Sequence, residues 1–404
     1  MRQLLRTPVP PGPAGVWALV DALQDALAGR GPALAPVPTT SVTVSDEYVA
    51  RLMRALRPDD PTAPLEDDSV AVVMATSGSS GTPRGVLLTA TALSSMSEQV
   101  NGPGDSTRWI AALPLTSMGG FNVLVRALAA GRPPIALASI GGAAPFTPAD
   151  FARAVASAAT DDIRVSLVSA QLRRLLAEDV GLEALRACSQ ILIGAGPLPV
   201  AIRTAAEDLG IPLTTTYGST ETSGGCVYNG IPLRGVSIAT HAGSPGEVLV
   251  NGPMLALGYR CEPELTASRF TPAGYHTTDL GHIDDAGHLT ILGRMDDVVI
   301  INGVNVSVGA VEQAIEESPS VVAAIAIDVP APDGEAELVV IVIQRDHGED
   351  LRAEITAQVQ RILGRAAVPR KVAVVHEFPS LPHGKVDRAA LRAAAMGGDL
   401  RWLQ

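Results

Sequence analysis

Ten residues, Thr76-Ser77-Gly78-Ser79-Ser80-Gly81-Thr82-Pro83-Arg84-Gly85, gather hydroxyls, glycines and one guanidinium. Glycines let the backbone turn its N–H groups into a concave nest, and hydroxyls add side-chain donors. Arg84 contributes a planar fork suited to phosphate oxygens. Together these types read as a cradle for an anion. The stretch is not the G-x-x-x-x-G-K-[ST] loop, because its cation precedes the last glycine and no Lys-Ser/Thr pair follows. Composition alone fits a Ser/Gly surface loop equally well. The decision rests on what lies downstream.

Five further stretches carry groups able to do chemistry: Gly194-Ala195-Gly196-Pro197, Thr214-Thr215-Thr216-Tyr217-Gly218-Ser219-Thr220-Glu221-Thr222, Tyr275-His276-Thr277-Thr278-Asp279, Gly293-Arg294-Met295-Asp296-Asp297 and Pro382-His383-Gly384-Lys385-Val386-Asp387. Singly, each has an ordinary reading. Glu221 and Asp279 would be solvated carboxylates, Arg294 a surface arginine and Lys385 a loop lysine. His276, His282 and His288 recur at a spacing of six, yet strands and turns need not converge them on a metal. Lys371 and Lys385 are the only lysines among 30 basic residues. A lysine in so arginine-rich a chain invites a chemical reason, since ammonium is a compact point charge and guanidinium a broad fork.

The elements that must position these groups follow from periodicity. Val70 to Met74 is an apolar run of the length and branching of a buried strand, and it feeds the 76–85 turn. Val16 to Leu27 has helical spacing, and residues up to 68 then loosen into a Pro/Asp-rich connection. Ala90 to Val100 reads as a helix, Trp109 to Leu115 as a strand, and Phe121 to Ala130 as an apolar helix. Ile163–Val168 and Gln190–Ile193 each precede a helix, at 170–177 and 200–209. Strands alternating with helices indicate an α/β fold with a parallel sheet, its ligands at the carboxyl ends of the strands. From Gly246 the texture changes to short strands and turns. A small α+β unit begins after Arg294, with a helix at 308–317, strands at 321–327 and 338–343, and a helix at 350–363.

Composition bounds the class. The 404 residues are 47% hydrophobic and 18% charged, which is globular and long enough for two or three cores. A net charge of −12 argues against nucleic acid as a partner. Cys188, Cys226 and Cys261 are odd in number and far apart, so neither a disulfide framework nor a zinc site is expected, and a reducing cytoplasm fits. Prolines follow Arg6 where a signal peptide needs an apolar core, and no run approaches the roughly 18 apolar residues of a membrane span.

In order and spacing, these motifs resemble the adenylate-forming superfamily of acyl-CoA ligases, carrier-protein-loading adenylation domains and luciferases. The resemblance covers roughly residues 70–390. Within it, Tyr217 to Tyr228 followed by Gly230-Ile231-Pro232-Leu233, together with Gly303-Val304-Asn305-Val306 and the chain length, is most similar to the o-succinylbenzoate–CoA ligases of menaquinone synthesis. The resemblance implies a large N-terminal α/β domain with a β-rich subdomain (1–293), a hinge (294–297) and a small mobile α+β domain (298–404). It implies ATP, Mg²⁺ and coenzyme A as cofactors, a small carboxylic acid as substrate, and dimers, which are common among relatives.

The implied roles transfer motif by motif. Thr76, Ser77, Gly78, Ser79, Ser80, Gly81, Thr82 and Arg84 close over the β- and γ-phosphates, with Arg84 standing where relatives usually have lysine. Glu221 holds Mg²⁺, a hard ion suited to oxygen ligands, and Thr220 donates to the α-phosphate. Asp279 accepts both ribose hydroxyls, and Arg294 reaches the ribose as well. Gly194, Ala195, Gly196 and Pro197 with Tyr217 and Gly218 enclose the adenine, whose amino group meets the Thr216 carbonyl. Lys385 bridges the acyl carboxylate and the α-phosphate. Asp296 is the hinge, and Gly303, Val304 and Asn305 line the thiol's path. By neighbourhood to the motifs, Met118, Gly119, Phe121, Ser169, Gln171, Gly218, Ser219, Gly224 and Gly225 form the acyl pocket. One departure matters: Thr116-Ser117-Met118 stands where menaquinone-type ligases place a histidine, which leaves the acid open. Two other readings stand beside a CoA ligase. One is an adenylating enzyme for another aryl or keto acid, using CoA, a carrier-protein thiol or an amine. The other is a nucleotide-binding regulator without turnover.

Overall fold

Burial of β-branched runs organises the first sheet. Val70–Ala75 is a strand whose residues from Val70 to Met74 are fully buried, as its composition requires. A computed structural model describes the chain except residues 1, 42, 77–82, 102–106, 197, 242, 302–303, 331–335, 346–349, 380–385 and 404, and the side chains of 296, 300 and 305. The first sheet runs Leu4–Val9, Ala33–Pro38, Val70–Ala75, Gly85–Thr89, Gly258–Tyr259. The first three strands are parallel and the rest antiparallel. Leu4–Val9, which precedes the expected helix at Val16 to Leu27, and Ala33–Pro38, within the expected loose connection, are both strands. Their prolines hide the strand signal, and they are tolerated because Pro8 sits on the edge strand and Ala33–Pro38 pairs with Val70–Ala75 through the single register Leu34–Val72.

The second sheet has seven strands in the order Ile231–Pro232, Gly224–Tyr228, Leu213–Ser219, Gln190–Ile193, Ile163–Leu167, Arg108–Ala111, Ile135–Ala136. It is parallel from Leu213–Ser219 to Ile135–Ala136 and antiparallel beyond. The helix Pro13–Leu27 packs on the first sheet and meets the helix Met118–Ala129, which packs on the second. Both sheets therefore share one apolar core, which includes Met74, Val86, Ile110, Phe121, Val165 and Ile191. The expected helix over 90–100 is two short ones, Ala90–Ser94 and Ser97–Asn101.

The third sheet joins Ser237–His241, Gly246–Asn251, Gly274–Ile283 and Phe270–Thr271, with Leu289–Arg294 also paired to Gly274–Ile283. C-terminal to it come the hairpin Val298–Ile301/Val304–Ser307 and a three-stranded sheet of Val321–Pro330, Ala336–Gln344 and Lys371–Val374. The helices Val308–Glu316, Leu351–Leu363 and Arg388–Gly397 accompany this sheet, which has apolar clusters of its own. Among the described residues no helix is long and apolar enough to cross a membrane. The whole is a large α/β domain with mixed sheets and a smaller C-terminal α/β subdomain.

Candidate active site

Parallel strands of one sheet bring their carboxyl ends to one side, and here those ends border a cavity of about 180 Å³. Ser166, Leu167 and Val168 line it from one strand end, Leu192, Gly194 and Ala195 from the next, and Leu113, Thr116, Ser117, Met118 and Gly119 from beyond a third. Thr216, Gly218, Ser219 and Thr220 line it from Leu213–Ser219 and the turn after it. The first sheet closes the opposite wall with Pro36, Ala75 and Thr76. Thr76, at the mouth of the 76–85 turn, therefore shares one cavity with Thr220 and Gly194. Thr76 N–H donates to the Arg84 carbonyl at 2.8 Å, closing that turn at its neck.

Two glycines are required by close approach. A Cβ on Gly218 would lie 2.0 Å from the Gly224 carbonyl oxygen, and one on Gly224 would lie 1.9 Å from Asn122 Nδ2. Gly224 also has φ +98, where side chains are strained. The two strands thus touch through bare backbone, which leaves room beside them. The Ser219 hydroxyl oxygen is buried and has no hydrogen-bond partner among the described residues. A ligand group in the cavity would complete it.

Strand alternation sends Tyr217 to the other face from Thr216 and Gly218. Its hydroxyl donates to Asp279 Oδ2 at 2.7 Å. Burial first, then the Asp279 charge, holds the Tyr217 phenol well above its ordinary pKa, so it stays a donor. Arg294 stands opposite Asp279 in the strand register, its Nη1 3.9 Å from Oδ1, and its Nη2 donates to Thr278 Oγ1 at 3.1 Å. Tyr217, Asp279 and Arg294 therefore form one cluster at the junction of the second and third sheets.

Glu221 is buried in the turn after Leu213–Ser219. Its Oε1 accepts from the Tyr259 hydroxyl at 3.0 Å, and its carbonyl accepts from Ala256 N–H at 2.8 Å. Tyr259 pairs with Val86, on the strand leaving the 76–85 turn, so Glu221 lies beside that strand. Burial, with the Glu221 charge adding to it, raises the Tyr259 and Tyr275 phenols and keeps them neutral. Among the described residues no three His, Cys, Asp or Glu side chains gather into a metal site. A single buried carboxylate beside a phosphate-type turn fits Mg²⁺, which takes one or two carboxylates and completes its shell with water and substrate phosphates.

Of the expected acyl-pocket residues, Met118, Gly119, Gly218, Ser219, Gly224 and Gly225 line the cavity. Phe121 is fully buried in the main core instead. Gln171 does not line the cavity but braces it, donating to the Ala112 carbonyl at 3.0 Å and accepting from Val168 N–H at 3.2 Å. Ser169 opens the helix Ser169–Leu176 next to the lining residue Val168. Arg84 lies 3.6 Å from Glu262. Ser77, Gly78, Ser79, Ser80, Gly81, Thr82, Pro197, Gly303 and Lys385 lie outside the described residues, as do the side chains of Asp296 and Asn305. The backbone of Asp296 forms a single turn with Met295 and Asp297, and Val304 is exposed at the start of its strand.

The cavity also has residues that no motif announces, Tyr48, Leu52, Asn122, Arg126 and Ser166, and Tyr228 from the end of the stretch Tyr217 to Tyr228 lines it as well. Met118, Asn122 and Arg126 recur every four residues, so they share one helix face, while Phe121 and Val125 face the core. Arg126 is only 5% exposed. Its Nη2 donates to the Tyr228 hydroxyl at 3.1 Å and its guanidinium lies 5.4 Å from the Trp109 ring centroid. Its partners are neutral, and no carboxylate among the described residues pairs with it. The signal is an arginine inside a helix that is apolar but for Asn122, MGGFNVLVRALA.

Residues 21–260 match the AMP-binding enzymes and residues 310–385 match the AMP-binding enzyme C-terminal domain. A probable 2-succinylbenzoate–CoA ligase of Mycobacterium tuberculosis is 37% identical over 391 residues, covering 95% of this chain and 96% of that protein. A sulfoacetate–CoA ligase of Cupriavidus necator is 30% identical, covering 82% of this chain and 68% of the relative. In fold, the chain is similar to the AMP complex of the Bacillus subtilis o-succinylbenzoate coenzyme A synthetase, with a TM-score of 0.71 at 21% identity over 97% of this chain and 89% of that one. The chain belongs to the AMP-binding enzymes, and is an ATP-dependent, acyl-adenylate-forming acid–thiol ligase.

Proposed function

We propose that this ligase activates an acid carrying a second anionic group, of the 2-succinylbenzoate class, and passes it to coenzyme A in a reducing cytoplasm. The observation that carries this reading is Arg126, a buried cation on the cavity wall whose protein partners are neutral. A buried charge is costly unless it is paired, and a guanidinium is shaped to receive a carboxylate in two parallel hydrogen bonds. Two of the relatives reported above are ligases for acids with two anionic groups, 2-succinylbenzoate and sulfoacetate. The first suits a cavity bounded by glycines at 218, 224 and 225, which admit a flat ring.

A carboxylate is a poor acyl donor because its leaving group would be oxide. Attack of one carboxylate oxygen on the α-phosphorus of ATP forms the acyl–phosphate anhydride bond and breaks the bond to pyrophosphate. A thiolate then attacks the acyl carbon, and AMP departs with the bridging oxygen. Thr76 to Arg84 receive the departing phosphates, Thr220 donates to the α-phosphate and Glu221 holds Mg²⁺. Asp279 and Arg294 hold the ribose, with the adenine against Gly194, Ala195, Thr216 and Gly218. Lys385 bridges the two reacting anions. Asp296 is the hinge about which residues 298–404 turn to bring Gly303, Val304 and Asn305 to the thiol's path.

Acid-dependent exchange of labelled pyrophosphate into ATP tests this. Exchange is expected with 2-succinylbenzoate and to be at least tenfold weaker with 4-oxo-4-phenylbutanoate, which lacks the ring carboxylate. Equal exchange with both would overturn the dianion reading. Lys385→Ala is expected to abolish exchange while leaving thioester formation from supplied acyl-adenylate. Equal loss of both half-reactions would overturn the two-face assignment.

A further inference from the structure

The strand carrying Asp279 is not regular. Glu247 stands opposite Leu280 and Leu249 stands opposite His276, so Val248 alone faces three residues, Thr277, Thr278 and Asp279. Such a bulge bends its strand and re-aims a side chain. At its centre Thr278 has φ +64, a conformation that a β-branched residue adopts only when its surroundings impose it. The imposition is visible. Thr278 N–H donates to Glu247 Oε1 at 3.2 Å. On one flank Thr277 Oγ1 donates to the Val248 carbonyl at 2.8 Å and accepts from Asp279 N–H at 3.0 Å. Glu247 is itself fixed: Oε2 meets His276 Nδ1 at 2.9 Å, and Arg269 Nη1 lies 3.8 Å from Oε1.

We infer that Glu247 is a positioning residue for the nucleotide: it holds Thr278 in the left-handed conformation, and so aims the Asp279 carboxylate at Tyr217 and Arg294. The Glu247 carboxylate meets Thr278, His276 and Arg269 rather than Tyr217 or Arg294, and its reach to the ligand runs through the backbone of Thr278. His276, whose Nε2 lies 3.4 Å from Thr271 Oγ1, serves as a brace that keeps the Glu247 side chain from swinging away. This inference rests on the proposal that Asp279 accepts the ribose hydroxyls, and it extends the site to residues that contact no ligand.

The test is discrimination between ATP and 2′-deoxy-ATP, measured as the ratio of their kcat/KM values in pyrophosphate exchange. Loss of a hydrogen bond to a charged acceptor predicts a ratio of about 10 to 100 in the wild type. Asp279→Ala is expected to bring that ratio to about one. Glu247→Ala is expected to collapse most of it, through a raised KM for ATP with kcat and the KM for the acid little changed. Glu247→Gln, which retains an acceptor for Thr278 N–H, should retain most of the discrimination. Thr278→Asn placed in the Glu247→Ala protein should restore much of it, because asparagine enters the left-handed region far more readily than threonine. A merely structural role would lower stability without moving the ratio. If Glu247→Ala keeps the wild-type ratio while Asp279→Ala loses it, the positioning role is overturned and the ribose assignment stands. If the wild type does not discriminate, or Asp279→Ala still does, the ribose assignment falls and the positioning role with it.

Discussion

Arg126 and Arg260 are both buried arginines in the N-terminal domain, and they are buried in opposite ways. Arg260 is 2% exposed and fully engaged. Its guanidinium donates to the carbonyls of Leu56, Arg57, Ala63 and Pro64 and to Glu66 Oε2, the last at 2.8 Å. It ties the segment after the helix Asp46–Leu56 to the short strand Gly258–Tyr259, and nothing about it waits for a ligand. Arg126 has a hydroxyl, an aromatic face and an open cavity. Burial alone therefore does not mark a functional cation; donors left over after the protein has satisfied what it can do so. A third buried group, Glu316, shows the remaining solution. It accepts from Ala324 N–H at 3.1 Å, and burial with the nearby Glu312 lifts its pKa from 4.5 to about 8. It gives up its charge at neutral pH.

The comparison can be broken at each of these sites. Arg260→Ala strands the Glu66 carboxylate and four carbonyls, so it should cost about 3–5 kcal/mol in chemical denaturation while leaving the KM for every substrate near wild type. A change in acid preference would erase the distinction drawn between the two arginines. Arg126→Ala should do the reverse. Losing one partner of a desolvated charge pair costs about 2–5 kcal/mol, so kcat/KM for a dianionic acid should fall about 30- to 5,000-fold. The monoanionic analogue should be used as before, and stability should hold or rise. Equal losses for both acids would make Arg126 a packing residue. The smallest effect is expected at Glu316. Its folded pKa is raised, so below about pH 4.5 both states hold the proton and it costs nothing. Between about 4.5 and 8 the unfolded chain ionises first and stability falls as pH rises. Glu316→Gln keeps the contact with Ala324 N–H and should flatten that part of the stability curve, with a gain greatest near pH 8 and absent near pH 4. A gain that did not depend on pH would show that Glu316 is ionised in the folded protein.

How much of this the sequence discloses differs by kind of residue. The stretches that carry Thr76, Gly194, Ala195, Thr216 to Glu221, Asp279 and Arg294 are legible because they are motifs of given residue types in a fixed order. The α/β alternation is legible because parallel strands need apolar runs separated by helices. The cavity's distal wall is another matter. Arg126 and Asn122 are set by which face of the helix Met118–Ala129 turns inward, and the same geometry sends Phe121 to the core. Tyr48 and Leu52 come from a helix 24 to 28 residues before Thr76, on a segment whose strands are masked by proline. Glu247 is silent because its effect depends on register: only the pairing of the two strands shows that one residue faces three.

The central claim is that a carboxylate oxygen of the acid attacks the α-phosphorus of ATP. Turnover with an acid labelled by ¹⁸O in both carboxylate oxygens tests it most directly, with mass analysis of the nucleotide and phosphate products. One ¹⁸O should appear in AMP and none in pyrophosphate, because the bridging oxygen leaves with AMP when the thiol takes the acyl group. Label in inorganic phosphate with ADP as the nucleotide product, or unlabelled AMP, would contradict it.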